Sequence, residues 1–162
     1  MFPVSDVIPS RTTPVVTITL IATNALVFLY ELTLDDRPLQ ALVQSYGVVP
    51  AHFSLVTLVT SLFLHGGWLH FLGNMLYLWI FGDNVEDRLG HGRFAIFYIG
   101  CGAAAALGQM ATSPMSSLPM VGASGAIAGV MGAYFVFFPH SRVLTAVFIV
   151  FFMDIIEIPA IF

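Results

Sequence analysis

The sequence contains no lysine; its five cations are all arginine. Charged residues make up only 9% of the chain, against about a quarter in an ordinary soluble domain. Five basic and nine acidic side chains cannot cover a water-soluble body of 162 residues. A soluble enzyme and a disordered tail are excluded on that ground. A net charge of −4 leaves no basic footprint for DNA or RNA. The single cysteine, Cys101, cannot form an internal disulfide and says nothing about redox compartment. Neither a cofactor nor a metal is expected. What the chain has is apolar bulk, 58% of its residues, and this points to a polytopic helical membrane protein whose first partner is the lipid bilayer.

Residues 1–14 carry three prolines and read as a flexible N-terminal arm, followed by a membrane domain over 15–162. Val15 to Leu32 is the first span. It is too long for a signal-peptide core and lacks a small-residue cleavage site. Pro38 to Gly82 contains no charged residue. Residues 35–54 are expected to lie irregularly on or in the membrane surface, and Leu55–His65 to form a short, partly buried helix. Trp68 to Phe81 is the second span. Phe94 to Ala111, rich in Ala and Gly, is the third and is expected to be central or tightly packed. Val121 to Phe138 is the fourth. Val143 to Met153 is too short to span. An interfacial or re-entrant piece is expected there, with a further span beginning near Pro159.

Orientation follows from the arginines. With the N-terminus inside, Arg11, Arg88, Arg93 and Arg142 fall on the cytoplasmic side and only Arg37 outside. The reverse orientation inverts that ratio. The arm is therefore expected in the cytoplasm.

Two features could carry chemistry. His70 and Asn74 are four apart on the second span and share one helix face. Polar groups at membrane depth need hydrogen-bond partners or a wet cavity, so this pair is either glue between helices or part of a site. Gly122-Ala123-Ser124-Gly125 opens the fourth span. A serine at a helix start has free N–H groups beside it, which suit a developing oxyanion. Equally, Gly125, Gly129 and Gly132 belong to a small-residue stripe of the kind that packs helices. His65, beside Gly66 and Gly67, reads best as a loop-fixing residue.

Taken together, FLHGGWLHFLGNM, then GDNVEDRLG, then GASGAIAG resembles the rhomboid family of intramembrane serine proteases, from about Val15 to the end of the chain. The resemblance implies an all-α bundle, here with four complete spans and the start of another. The uncharged segment 35–67 would correspond to the family's large first loop. Ser124 would be the nucleophile, and His70 and Asn74 the side-chain donors of an oxyanion hole. Glu86, in Gly82-x-x-x-Glu86-x-x-x-Gly90, would be structural. The substrates would be transmembrane proteins cut near the outer face, and the location an integral membrane, expected to be a bacterial plasma membrane.

The family's base is a histidine on a later helix, among small residues. The histidines here are His52, His65, His70, His91 and His140, and none follows Ser124 on a later span. The chain therefore looks C-terminally truncated and is expected to be inactive alone, with the face around Gly125, Gly129 and Gly132 left open to lipid. Val56-Thr57 stands where a Trp-Arg pair is frequent in the family. Ala128 stands where an aromatic residue commonly packs on the base. The other reading is a non-catalytic rhomboid-like protein that binds membrane clients.

Overall fold

The computed structural model of the chain describes residues 2–149 and 152–159. It is mostly helical, as expected, with a small sheet that the sequence did not suggest. Strand β1 spans Phe2–Asp6, and helix α1 spans Val15–Glu31. Three polar side chains inside α1 donate within the helix itself. The Thr19 and Thr23 hydroxyls donate to carbonyls one turn back, and the Asn24 amide donates to Leu20 O at 2.8 Å. Such local bonds let an apolar span carry hydroxyls and amides in hydrocarbon.

Helix α2, Asp36–Tyr46, corrects the expectation of irregular structure over 35–54. Pro38 lies in its first turn, where no backbone N–H is needed and proline is tolerated. Leu39, Leu42, Val43 and Tyr46 recur at helical spacing. None of its residues is fully buried. A single 3-10 turn, Pro50–His52, follows. Val48 pairs with Met120 across the outer end of the bundle. The short helix expected over Leu55–His65 is present as α3, Thr57–Thr60, continued by a 3-10 turn, Ser61–Phe63.

Helices α4 (Trp68–Leu89), α5 (His91–Thr112) and α6 (Ser124–Phe137) form the rest of the bundle. The central helix is α4, which buries Phe71, Asn74, Met75, Leu78, Phe81 and Val85 and packs against α1, α5 and α6. Of the two expectations for the third span, central or tightly packed, the first does not hold: α5 buries only Phe94, Tyr98 and Gly102. Its packing on α6 is nonetheless tight. A methyl placed on Gly125 would lie 2.5 Å from Ala105 Cβ, and one on Gly129 2.4 Å from Cys101 Sγ. Gly125 and Gly129 are therefore covered by α5, not open to lipid. The open face of α6 is instead Ser124, Ala128, Gly132 and Val136, one residue per turn.

Among the described residues, α5 alone is both long and apolar enough to qualify as a membrane span by itself. Helices α1 and α6 are apolar but shorter, 17 and 14 residues. Helix α4 has 22 residues, but its last turns carry Asp83, Glu86, Asp87 and Arg88. The count of four spans is thus carried forward as a proposal.

Both chain ends depart from the all-α expectation. The antiparallel pair β2 (Arg142–Ile149) and β3 (Phe152–Pro159) occupies the stretch expected to be an interfacial or re-entrant piece, and β1 adds to β2 in the antiparallel order β1-β2-β3. Val, Ile, Phe and Thr fill these strands, and such residues fit a pleated surface better than a helix. The further span expected near Pro159 lies outside the described residues. The arm is not free. Asp6 Oδ2 accepts from Tyr134 Oη of α6 and Asn84 Nδ2 of α4, both at 2.9 Å. Ser10 donates to Asp83, and the Arg11 amide and Thr12 hydroxyl to Asp87.

Candidate active site

The Gly82-x-x-x-Glu86-x-x-x-Gly90 motif sets the frame, far from Ser124. Glu86 is fully buried and accepts from the Val16 amide (2.9 Å), the Thr17 amide (2.7 Å) and the Thr17 hydroxyl (2.7 Å). These are first-turn amides of α1, which no carbonyl of that helix can reach. A carboxylate at a helix N-terminus also meets the positive end of the helix dipole. Gly82 makes this approach possible, since a methyl there would lie 3.0 Å from the Thr17 side chain. Gly90 ends α4 with φ +80°, a conformation that favours glycine. His91 Nδ1 completes the Glu86 shell at 2.5 Å.

At the opposite end, the structure brings the loop before Ser124 against His70 and Asn74. Gly122 has φ +114°, and a methyl placed on it would lie 2.5 Å from His70 Nε2 and 3.6 Å from Asn74 Nδ2. Only a glycine lets the loop before α6 settle against these two side chains. The Gly122 N–H donates to Ser61 O at 2.8 Å and ties that loop to the turn after α3. Ser124 begins α6 and is exposed. Beside it opens a cavity of about 460 Å³, lined by Ser61, Leu62, Ala105, Gln109 and Gly122 among others.

The Asn74 side chain is buried, and its Nδ2 has no hydrogen-bond partner. A buried donor without an acceptor costs about 1–3 kcal/mol, so this amide has a hydrogen bond to give to an oxygen brought beside it. His70 is half-buried, and its Nδ1 accepts the Gly66 N–H at 3.4 Å. No side chain among the described residues hydrogen-bonds Ser124 Oγ. His140 follows the far end of α6, and His91 is held by Glu86. His65 is buried at 5% exposure, with its ring 5.2 Å from that of His70. Burial, reinforced by the neighbouring His70, pushes the His65 imidazole down to about 4, so it stays uncharged beside the site at neutral pH. No cluster of three or more His, Cys, Asp or Glu that could hold a metal occurs among the described residues.

Reading by residue type missed two features: the unpartnered Asn74 donor and the contact of Glu31 with the turn before α4. Glu31 was visible only as a charge in an otherwise apolar span.

A helical bundle in which the glycine loop before Ser124 rests against a histidine and an asparagine of the neighbouring helix can be set beside what comparison with known proteins finds. The family model for the Rhomboid domain matches residues 52–161. The chain is 35% identical over 99 residues to Rhomboid protein 1, mitochondrial, of Saccharomyces cerevisiae, covering 59% of this chain and 29% of that protein. It is 43% identical over 76 residues to rhomboid protease GluP of Bacillus subtilis, covering 47% and 14%. It is 36% identical over 76 residues to RHOMBOID-like protein 5 of Arabidopsis thaliana, covering 47% and 25%. The chain belongs to the rhomboid family. It spans less than half the length of each of these relatives.

Proposed function

We propose that the chain carries the nucleophile and oxyanion hole of an intramembrane serine endopeptidase that cuts transmembrane proteins near the outer face. The observation that carries this reading is the buried Asn74 donor against Gly122, itself two residues before Ser124. Ser124 attacks the scissile carbonyl. Asn74 Nδ2, His70 Nε2 and the Ser124 N–H donate to the oxygen as it becomes negative. Donors placed in advance are worth most where water is scarce, each about 3 kcal/mol. At about 1.5 Å per residue, the 14 residues of α6 reach only about 21 Å. A helix that short starts below the surface of a hydrocarbon core of about 30 Å. Ser124 then stands at the floor of the cavity that supplies water.

The serine needs a base, and on this reading the base comes from a helix other than those described, because no described side chain hydrogen-bonds Ser124 Oγ. His70 sits on the oxyanion side as a donor. The exposed stripe Ser124, Ala128, Gly132 and Val136 is the face on which a further helix bearing the base would lie. A fluorophosphonate probe, which labels only an activated serine, tests this. The 162-residue chain is expected to stay unlabelled, whereas the protein extended by any reading frame that continues past Phe162 is labelled at Ser124. Labelling of the 162-residue chain that disappears in His70→Ala would overturn the assignment of His70.

Orientation with the N-terminus inside is part of the same reading. Arg11, Arg88, Arg93 and Arg142 lie at the end of the bundle that holds the arm, and Arg37 lies in α2 near Pro119 at the other. Four helices, α1, α4, α5 and α6, cross between these ends. A reporter fused after Pro114 is expected to read as external and one fused after Arg88 as cytoplasmic. Equal signals on one side would refute four crossings.

A further inference from the structure

Glu31 is an awkward residue where it stands. It closes α1, at the negative end of the helix dipole, and is 3% exposed. An anion there is disfavoured twice, by the dipole and by burial, so an outside donor must hold it. That donor is the backbone N–H of His65, which Glu31 Oε1 and Oε2 accept at 3.3 and 3.2 Å. One turn earlier on the same face, Phe28 stacks on Phe71 at 4.5 Å and meets the His65 ring edge-on at 6.3 Å. Both ring nitrogens of His65 lack partners. The turn before α4 is therefore located by what α1 presents to it, not by polar bonds from the His65 ring.

The next residue in that turn is Gly66, whose N–H points to His70 Nδ1. This resembles the reach-back half of a capping box, one residue further out. Gly67, at φ +145°, allows the bend. A neutral imidazole that accepts at Nδ1 must carry its proton on Nε2. Nε2 lies, with Cε1, on the ring edge that faces Gly122. Hydrogen bonds made by one ring nitrogen set the tautomer of the other in the same way around metal sites.

We infer that Glu31 is a positioning residue for the oxyanion hole: by holding the His65–Gly66 turn, it fixes the His70 ring with its proton on Nε2, directed at the Gly122 backbone. The inference rests on the reading of His70 as an oxyanion donor, but its test needs no catalysis. The 162-residue chain is labelled with ¹⁵N-histidine in detergent micelles, and the His70 ring signals are identified by their loss in His70→Gln. The wild-type ring is expected to be a single neutral tautomer protonated at Nε2. Glu31→Ala should lose that single-tautomer pattern, and Glu31→Gln, which keeps an acceptor, should restore it. Retention of the pattern in a folded Glu31→Ala would overturn the inference. Protonation at Nδ1 in the wild type, or a mixture, overturns it whether or not any variant folds. An extended protein that fails to cleave leaves these signals unchanged, so the two readings fail separately.

Discussion

Ser124→Ala is expected to abolish cleavage of a model transmembrane substrate, a loss on the order of 10⁴–10⁶ in rate, while the protein remains folded. The assay uses the protein extended by any reading frame that continues past Phe162. The size of the loss follows from the proposed chemistry: Ser124 carries the one hydroxyl of the Gly122–Gly125 stretch that opens α6. Folding is spared because Ser124 is exposed and its hydroxyl bonds to no described side chain. Asn74→Ala separates the roles. It removes a donor that has no partner in the resting protein, so substrate affinity should barely change. The oxyanion exists only in the transition state, so kcat should fall on the order of 10²–10³. A full-rate Ser124→Ala protein sinks the nucleophile assignment. A change in KM alone for Asn74→Ala sinks the oxyanion role.

The second large effect is on stability. Glu86→Ala strands the Val16 amide, the Thr17 amide and the Thr17 hydroxyl, which all donate to this one carboxylate. Each buried donor left unpaired costs about 1–3 kcal/mol. Removing the acceptor from such a buried network should cost about 3–5 kcal/mol in all. For a chain of this length that is a fall in Tm on the order of 10 °C, measurable by thermal unfolding in detergent. Glu86→Gln should fall between wild type and alanine, because its amide keeps one acceptor but turns a donor toward the α1 amides. An unchanged Tm for Glu86→Ala would mean that the start of α1 is satisfied by other groups.

Glu86 also marks how far the sequence could be read. Its motif was legible as a spaced pattern, but the pattern did not say what the carboxylate binds. Its partners, Val16 and Thr17, lie about 70 residues away, and no local rule links them. The same holds for Asn74. Its helix face followed from the spacing to His70, while the lack of a partner at Nδ2 depends on where the Gly122 loop comes to rest. The tail misled for a different reason. Val143 to Met153 was judged by apolar length, whereas its β-branched and aromatic content was the better guide, and strands need partners from elsewhere in the chain. Residues 35–54, expected to be irregular, hold α2 because a proline in a first turn breaks nothing.

The sequence by itself determined the solvent and the longer helices. Scarcity of charge, apolar runs and helical spacing are properties of short stretches, and the hydrophobic effect acts on each stretch alone. That was enough for a helical membrane bundle, for the face shared by His70 and Asn74, and for a serine at a helix start. Tertiary structure alone decided which helix is central, that Gly125 and Gly129 are covered by α5, and that the N-terminal arm is tied to α4 and α6. It also decided that Glu31 reaches the turn beside the site. These are contacts between distant segments, and a buried polar group is stable only where the folded chain brings its partner to it.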